Sequence, residues 1–234
     1  HLRDQTGNDN LVLADMGCRN TVFTAEAQSG VHSIKEWRDA GIGRLRVELV
    51  DESPEDAEDV IEHLSQEVVS GNDNATCSSD CDDDAGPRLS VLARSYGQVD
   101  RICQMVEKGQ PIDEIIIDFL EIDGMKDAVK RIRDVEDGRV KAVVASPRVI
   151  KPGECGIWRT LLRLEPDGLL IRSAGLLQRM TSLGGEGAKV NLASKSRGED
   201  DCYATIPELI GDFSLNVCNV ITAGELLSEG LTRI

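Results

Sequence analysis

The residues of this 234-residue chain that could do chemistry are seven cysteines, three histidines and a set of arginines that close apolar runs. Cys18 follows Gly17 and precedes Arg19 and Asn20, just after the apolar stretch 11–14. A neighbouring guanidinium favours the thiolate, the form that ligates metals and attacks electrophiles. Taken alone, Cys18 reads as a buried or half-buried thiol. A single cysteine does not hold an iron–sulfur cluster, which normally takes four thiolates. Cys77 and Cys81, separated by three residues among Ser and Asp, read as incidental to a linker. Cys155 precedes an expected helix start at Gly156, where a helix dipole can lower a thiol pKa, but it reads first as an inert thiol. His1, His32 and His63 belong to no H-E-x-x-H pattern, and no G-x-S-x-G elbow is present. The sequence therefore offers neither a conventional protease triad nor a zinc-protease motif.

Arg94, Arg148 and Arg172 each lie at the C-terminal end of an apolar run, with Asp118 and Asn216 ending two others. Active sites of (β/α) barrels sit at the C-terminal ends of the strands. If the runs are barrel strands, the three arginines converge on one mouth with Asp118 and Asn216 as polar neighbours. Guanidinium forks grip phosphate or carboxylate bidentately, so the expected ligand is an anion, small or polymeric. The competing expectation is that these arginines pair with Asp118, Glu121 and Asp212 in a structural network.

The elements that would position these residues follow from hydrophobic periodicity. Short apolar runs at 89–94, 114–119, 140–145, 168–172 and 209–216 alternate with amphipathic patterns near 99–106, 125–132, 156–164, 174–183 and 223–229. Residues 231–234 begin what reads as a further strand. Such alternation predicts a parallel sheet with helical crossovers, and five consecutive units favour a (β/α) barrel over a doubly wound sheet. No strand is followed by a dinucleotide-binding or P-loop glycine pattern. Upstream, a helix near 32–40, a strand at 45–50 and a helix at 55–69 continue the theme. Ser53 is placed to cap that last helix, with Pro54 in its first turn. Residues 184–207 break the rhythm and are expected to be a surface loop.

Composition sets outer bounds. Aromatic residues make up 3%, so the core must be built from Leu, Ile, Val and Ala. The net charge of −16 is local: 13 of the 42 acidic residues fall within 51–84, which has no Lys or Arg. Elsewhere 29 acidic residues face 26 basic ones, a balance that permits an anionic partner. Residues 70–88, SGNDNATCSSDCDDDAGPR, read as an acidic flexible linker between segments 1–69 and 89–234. No apolar run approaches the roughly 20 residues of a membrane span, so no membrane association is expected. Scattered cysteines, odd in number, predict a reducing compartment, cytoplasmic or organellar. The first residue is His1, and the chain is expected to be processed or a fragment.

Several long strings resemble peptidase family U32, the collagenase-like peptidases. They are HLRD at 1–4, LADMGCRNTVFTAEAQSG at 13–30 and GRLRVELVDE at 43–52. Downstream come LSVLARS, IDFLEIDGMKDAV, SPRVIKPGECGIWRTLLRLEPDGLLIRSAGLLQ and GDFSLNVCNVITAGELLSEGL. The resemblance implies a TIM-like (β/α) barrel and kinship with iron–sulfur proteins that hydroxylate tRNA or rRNA bases, or ubiquinone, without oxygen. It implies that Cys18, which matches the G-C-R-N-T stretch, is a cluster ligand. The three other ligand positions, in E-H-C and D-C-G-x-P-C stretches, have no counterpart here. The segment order is also inverted: 1–69 resembles the closing part of the family domain and 89–234 its opening βα units. The expectation is thus a partial or permuted barrel, either an excerpt of a tandem arrangement or a truncated permutation. The implied partners are tRNA or rRNA and a small anionic co-substrate, and the implied activity is RNA-base hydroxylation. The alternatives are a collagenase-like peptidase and a non-catalytic remnant or interaction module.

Overall fold

The computed structural model describes residues 1–14, 19–70, 88–135, 138–151, 153–154, 156–193 and 201–234, with the backbone alone at 67–70. The chain is mixed α/β and divides into two compact units, one comprising His1–Ile115 with Phe119–Val140 and the other Ile116–Asp118 with Lys141–Ile234. Among the described residues no helix is long and apolar enough to cross a membrane.

The first unit opens with β1 (Leu2–Arg3), β2 (Asp9–Ala14) and β3 (Asn20–Phe23), an antiparallel sheet in the order β1-β2-β3. This sheet departs from the expected strand–helix alternation. The β1–β2 turn is made locally: the Asp4 carboxylate accepts from Thr6 N, Thr6 Oγ1 and Asn8 N at 2.7–2.9 Å. Those donors hold the Asp4 carboxyl down at about 2. Such a turn permits only antiparallel pairing.

The alternation begins afterwards with α1 (Ile34–Asp39), β4 (Arg44–Glu48), α2 (Pro54–Ser70), β5 (Arg88–Ala93), α3 (Tyr96–Glu107), the start of β6 (Glu114–Ile117) and α4 (Met125–Arg133). The start of α2 follows the sequence signal: Ser53 Oγ accepts from Asp56 N at 3.1 Å, and Pro54 is the first helical residue. β5 is apolar on both faces, with Val91, Leu92 and Ala93 fully buried. It pairs in parallel with β4, Val47 opposite Val91. Val99, Ile102, Cys103 and Val106 form the inner face of α3. Its outer face carries ion pairs that tie the helices together: Arg101 and Lys108 meet Glu58 of α2, while Arg131 of α4 meets Asp100 at 2.7 Å and Glu107 at 2.8 Å. Most of the acidic linker, residues 71–87, lies outside the described residues.

The second unit contains the end of β6, then β7 (Lys141–Ala145), α5 (Ile157–Arg163), β8 (Gly168–Ile171), α6 (Ala174–Ser182), β9 (Lys189–Asn191), β10 (Tyr203–Thr205), β11 (Glu208–Gly211) and α7 (Val220–Ser228). β7 pairs with β8 and β8 with β11, both in parallel. Gly168 sits at a crowded point of this ladder, where a Cβ would meet Ile210 Cδ1 at 2.8 Å and Val143 Cγ2 at 3.1 Å and push those side chains aside. Within this unit the parallel strand order reads β11-β8-β7.

Three sequence expectations are corrected here. The segment 184–207 is not a plain loop: β9 and β10 pair in antiparallel fashion and bury Val190, Leu192 and Ala204. The strand expected over 209–216 stops at Gly211, because Asp212 turns the chain into a short 3-10 turn, Phe213–Leu215, by accepting from Ser214 N. The final helix starts at Val220 rather than 223, since Asn219 caps it through a 2.9 Å bond from Thr222 N. The strand onset expected at 231–234 is present as a parallel bridge between Ile210 and Arg233.

Candidate functional site

The C-terminal ends of the second unit's strands set the candidate site. Asp118 directly follows β6, Ser146 follows β7, Arg172 follows β8 and Asp212 follows β11. Parallel register levels Ser146, Arg172 and Asp212. Ser146 N donates to Leu170 O at 3.0 Å, Arg172 N to Ser146 Oγ at 3.2 Å and Asp212 N to Ile171 O at 3.1 Å.

The Arg172 guanidinium spans the strand ends. Nη1 and Nη2 donate to the two Asp118 carboxylate oxygens at 2.7 and 3.0 Å, a bidentate fork. Nε lies 3.4 Å from Asp212 Oδ2. The Arg172 side chain is 4% exposed and that of Asp212 is 0% exposed, so this is a buried ion triad and not a surface pair. The Asp212 carboxylate also accepts from Ser214 Oγ and, more weakly, from Ser214 N. A single carboxylate therefore joins the strand-end triad to the 3-10 turn. Of the two roles open to Arg172, the structure realises the ion pair: its fork is filled by Asp118.

The turn that Asp212 anchors carries Phe213, which is 57% exposed. Arg148, half-buried on the segment after β7, lies over that ring with its guanidinium carbon 4.9 Å from the centroid. Among the described residues no carboxylate pairs with Arg148. The cation is thus held by an aromatic face and leaves its donors for another acceptor. Asn216 closes the same turn in a left-handed conformation, φ 54°, which Asn tolerates better than most residues. Its Nδ2 donates to Ser214 O at 3.3 Å, and the residue is exposed.

Arg94 belongs to the first unit. It is 3.9 Å from Glu48 Oε2, its guanidinium carbon is 4.8 Å above the Phe23 ring, and its side chain is 7% exposed. Its backbone N–H donates to Gln98 Oε1 at 2.7 Å as α3 begins. Of the sequence-derived set, Asp118 and Arg172 are joined directly, and Arg148 and Asn216 lie on the turns around them. Glu121 is exposed and makes no ion pair with a described residue. Ser146 and Phe213 were missed. The signal for Ser146 was its place at the end of the run 140–145, and for Phe213 its place between Asp212 and the turn.

Cys18, Cys77, Cys81 and Cys155 lie outside the described residues. Cys103 is buried within α3, and burial pushes its thiol up to about 12. That is the opposite of what a thiolate ligand needs. Cys202 and Cys218 are exposed free thiols. Among the described residues no three His, Cys, Asp or Glu side chains form a metal-holding group.

No protein-family model, curated protein or solved structure matches this chain.

Proposed function

We propose that the chain is part of a U32-like (β/α) barrel related to RNA-base hydroxylation proteins, and that its strand-end turns bind single-stranded RNA. The observation that carries this reading is the exposed Phe213 ring with Arg148 over it, at the strand ends where barrel sites lie. An exposed aromatic ring is a stacking platform for any base, and a guanidinium beside it supplies a phosphate contact. Arg172 acts as a positioning residue, fixing Asp118 and, through Asp212, the turn that presents Phe213. An iron–sulfur cluster enters this reading through Cys18, with its remaining thiolates supplied by residues other than the core-buried Cys103. The exposed thiols Cys202 and Cys218 suit a reducing compartment.

The test is fluorescence anisotropy of a labelled single-stranded RNA oligonucleotide titrated with the purified chain at several salt concentrations. Binding should weaken with salt, as phosphate contacts require. Loss of a stacked base is worth about 1–3 kcal/mol, so Phe213→Ala should weaken binding roughly 5- to 150-fold. Arg148→Gln should weaken it and flatten the salt dependence. RNA affinity unchanged in both variants, or no binding even at low salt, would remove this reading.

A further inference from the structure

A second cationic site lies away from these turns, on the helices of the second unit. Trp158 of α5 is 5% exposed, and two guanidiniums are gathered on its ring. The guanidinium carbon of Arg159 is 4.8 Å from the ring centroid, and that of Arg179, on α6, is 5.3 Å away. In a chain with 42 acidic residues and 26 Lys and Arg, carboxylate partners are plentiful. Yet among the described residues no carboxylate pairs with Arg159 or Arg179. Arg163 stands one turn beyond Arg159 on α5 and donates from Nη2 to Leu192 O at 3.1 Å. Like charges at this i,i+4 spacing repel each other. Arg163 and Arg179 lie in the last turns of their helices, where a cation offsets the helix dipole. The dipole accounts for their charge but not for two guanidiniums sharing one ring.

We infer that Arg159 and Arg179, held on Trp158, form a binding site for a small phosphomonoester dianion on the α5–α6 face. Each guanidinium offers a planar fork that matches two phosphate oxygens. The indole holds both side chains against an apolar surface before the ligand arrives, which lowers the rotamer entropy lost on binding. A dianion between them turns mutual repulsion into two attractive contacts. Arg179 is exposed and Arg159 half-buried, so the ligand reaches the site from solvent. The site shares no residue with the Arg148–Phe213 turn and does not depend on the RNA reading.

Isothermal titration calorimetry of the full chain with inorganic phosphate and with phenyl phosphate, at ionic strength held constant with NaCl, tests this. Saturable binding of both is expected. Arg159→Gln and Arg179→Gln should each weaken it about tenfold or more, since one charge-assisted hydrogen bond is worth about 1.5–3 kcal/mol. Arg148→Gln should leave it unchanged. In a Trp37→Phe background Trp158 is the sole indole, and its emission should change with the same saturation curve. No saturable binding, affinity in the Arg159 and Arg179 variants equal to that of the unsubstituted chain, or loss of binding in the Arg148 variant would overturn the assignment.

Discussion

Replacing Arg172 by Met tests whether the strand-end triad organises the second unit. The side chain is 4% exposed, and the two carboxylates it faces are 15% and 0% exposed. Met keeps most of the volume and apolar stem but removes both forked bonds to Asp118 and the charge facing Asp212. Two charge-assisted hydrogen bonds at about 1.5–3 kcal/mol each suggest a loss of about 3–6 kcal/mol. The cost of removing one partner from a buried pair, about 3–5 kcal/mol, agrees. In urea, with a slope of about 2 kcal/mol per molar, the midpoint should fall by about 1.5–3 M. The assay is equilibrium unfolding followed by Trp158 emission in a Trp37→Phe background, because Trp158 lies in the same unit as the triad. Adding Asp118→Asn to Arg172→Met should restore at least about 1 kcal/mol, since the neutral amide no longer leaves a charge unpaired. The cost should also change little between low and high salt, because screening acts weakly on buried pairs. A loss below about 1 kcal/mol, the size of an exposed ion pair, would refute the reasoning. So would a double variant less stable than the single one.

Three further outcomes are expected. Gly168→Ala places a Cβ 2.8 Å from Ile210 Cδ1, and overpacking of this kind costs about 1–3 kcal/mol, so the thermal midpoint should drop by several degrees; an unchanged midpoint would contradict the crowding seen at the β7–β8–β11 ladder. In site-resolved alkylation with iodoacetamide near pH 8, Cys202 and Cys218 should label in the native protein and Cys103 only after denaturation, because burial holds its thiol near 12; native-state labelling of Cys103 at a comparable rate would show the α3 core to be open. Burial raises the Glu208 pKa, but hydrogen bonds from Lys141 and Arg233, each at 3.0 Å, outweigh it and leave the carboxyl below its ordinary value. A folded-state pKa depressed in this way stabilises the protein above the ordinary glutamate range, and the contribution is lost as pH falls through the lowered value. The stability difference between the wild type and Glu208→Gln should accordingly shrink from pH 6 toward pH 3, and a difference that widens on acidification would reverse the sign of the argument.

The sequence by itself determined most of the strand–helix rhythm from residue 34 onward. Runs such as III at 115–117 and VLA at 91–93 are apolar at consecutive positions, which suits a strand buried on both faces. Cap signals such as Ser53 and Pro54 act over one helical turn, so they were legible without tertiary information. Local signals did not reveal the antiparallel β1-β2-β3 sheet or the β9–β10 pair, since the strands are short and mostly exposed and gain definition from partners across a turn. Nor did periodicity show where β11 ends, because the side-chain bonds from Ser214 to Asp212 redirect a backbone that could have continued. For the site, the sequence brought Asp118, Arg148, Arg172 and Asn216 to strand ends but left open whether each arginine faced a ligand or a carboxylate. Tertiary structure decided the carboxylate pairing: the register of β7, β8 and β11 and the end of β6 bring Asp118 and Asp212 against the Arg172 fork and leave Arg148 to the Phe213 ring. Ion pairing between residues 54 positions apart depends on that register, and no property of either residue alone encodes it.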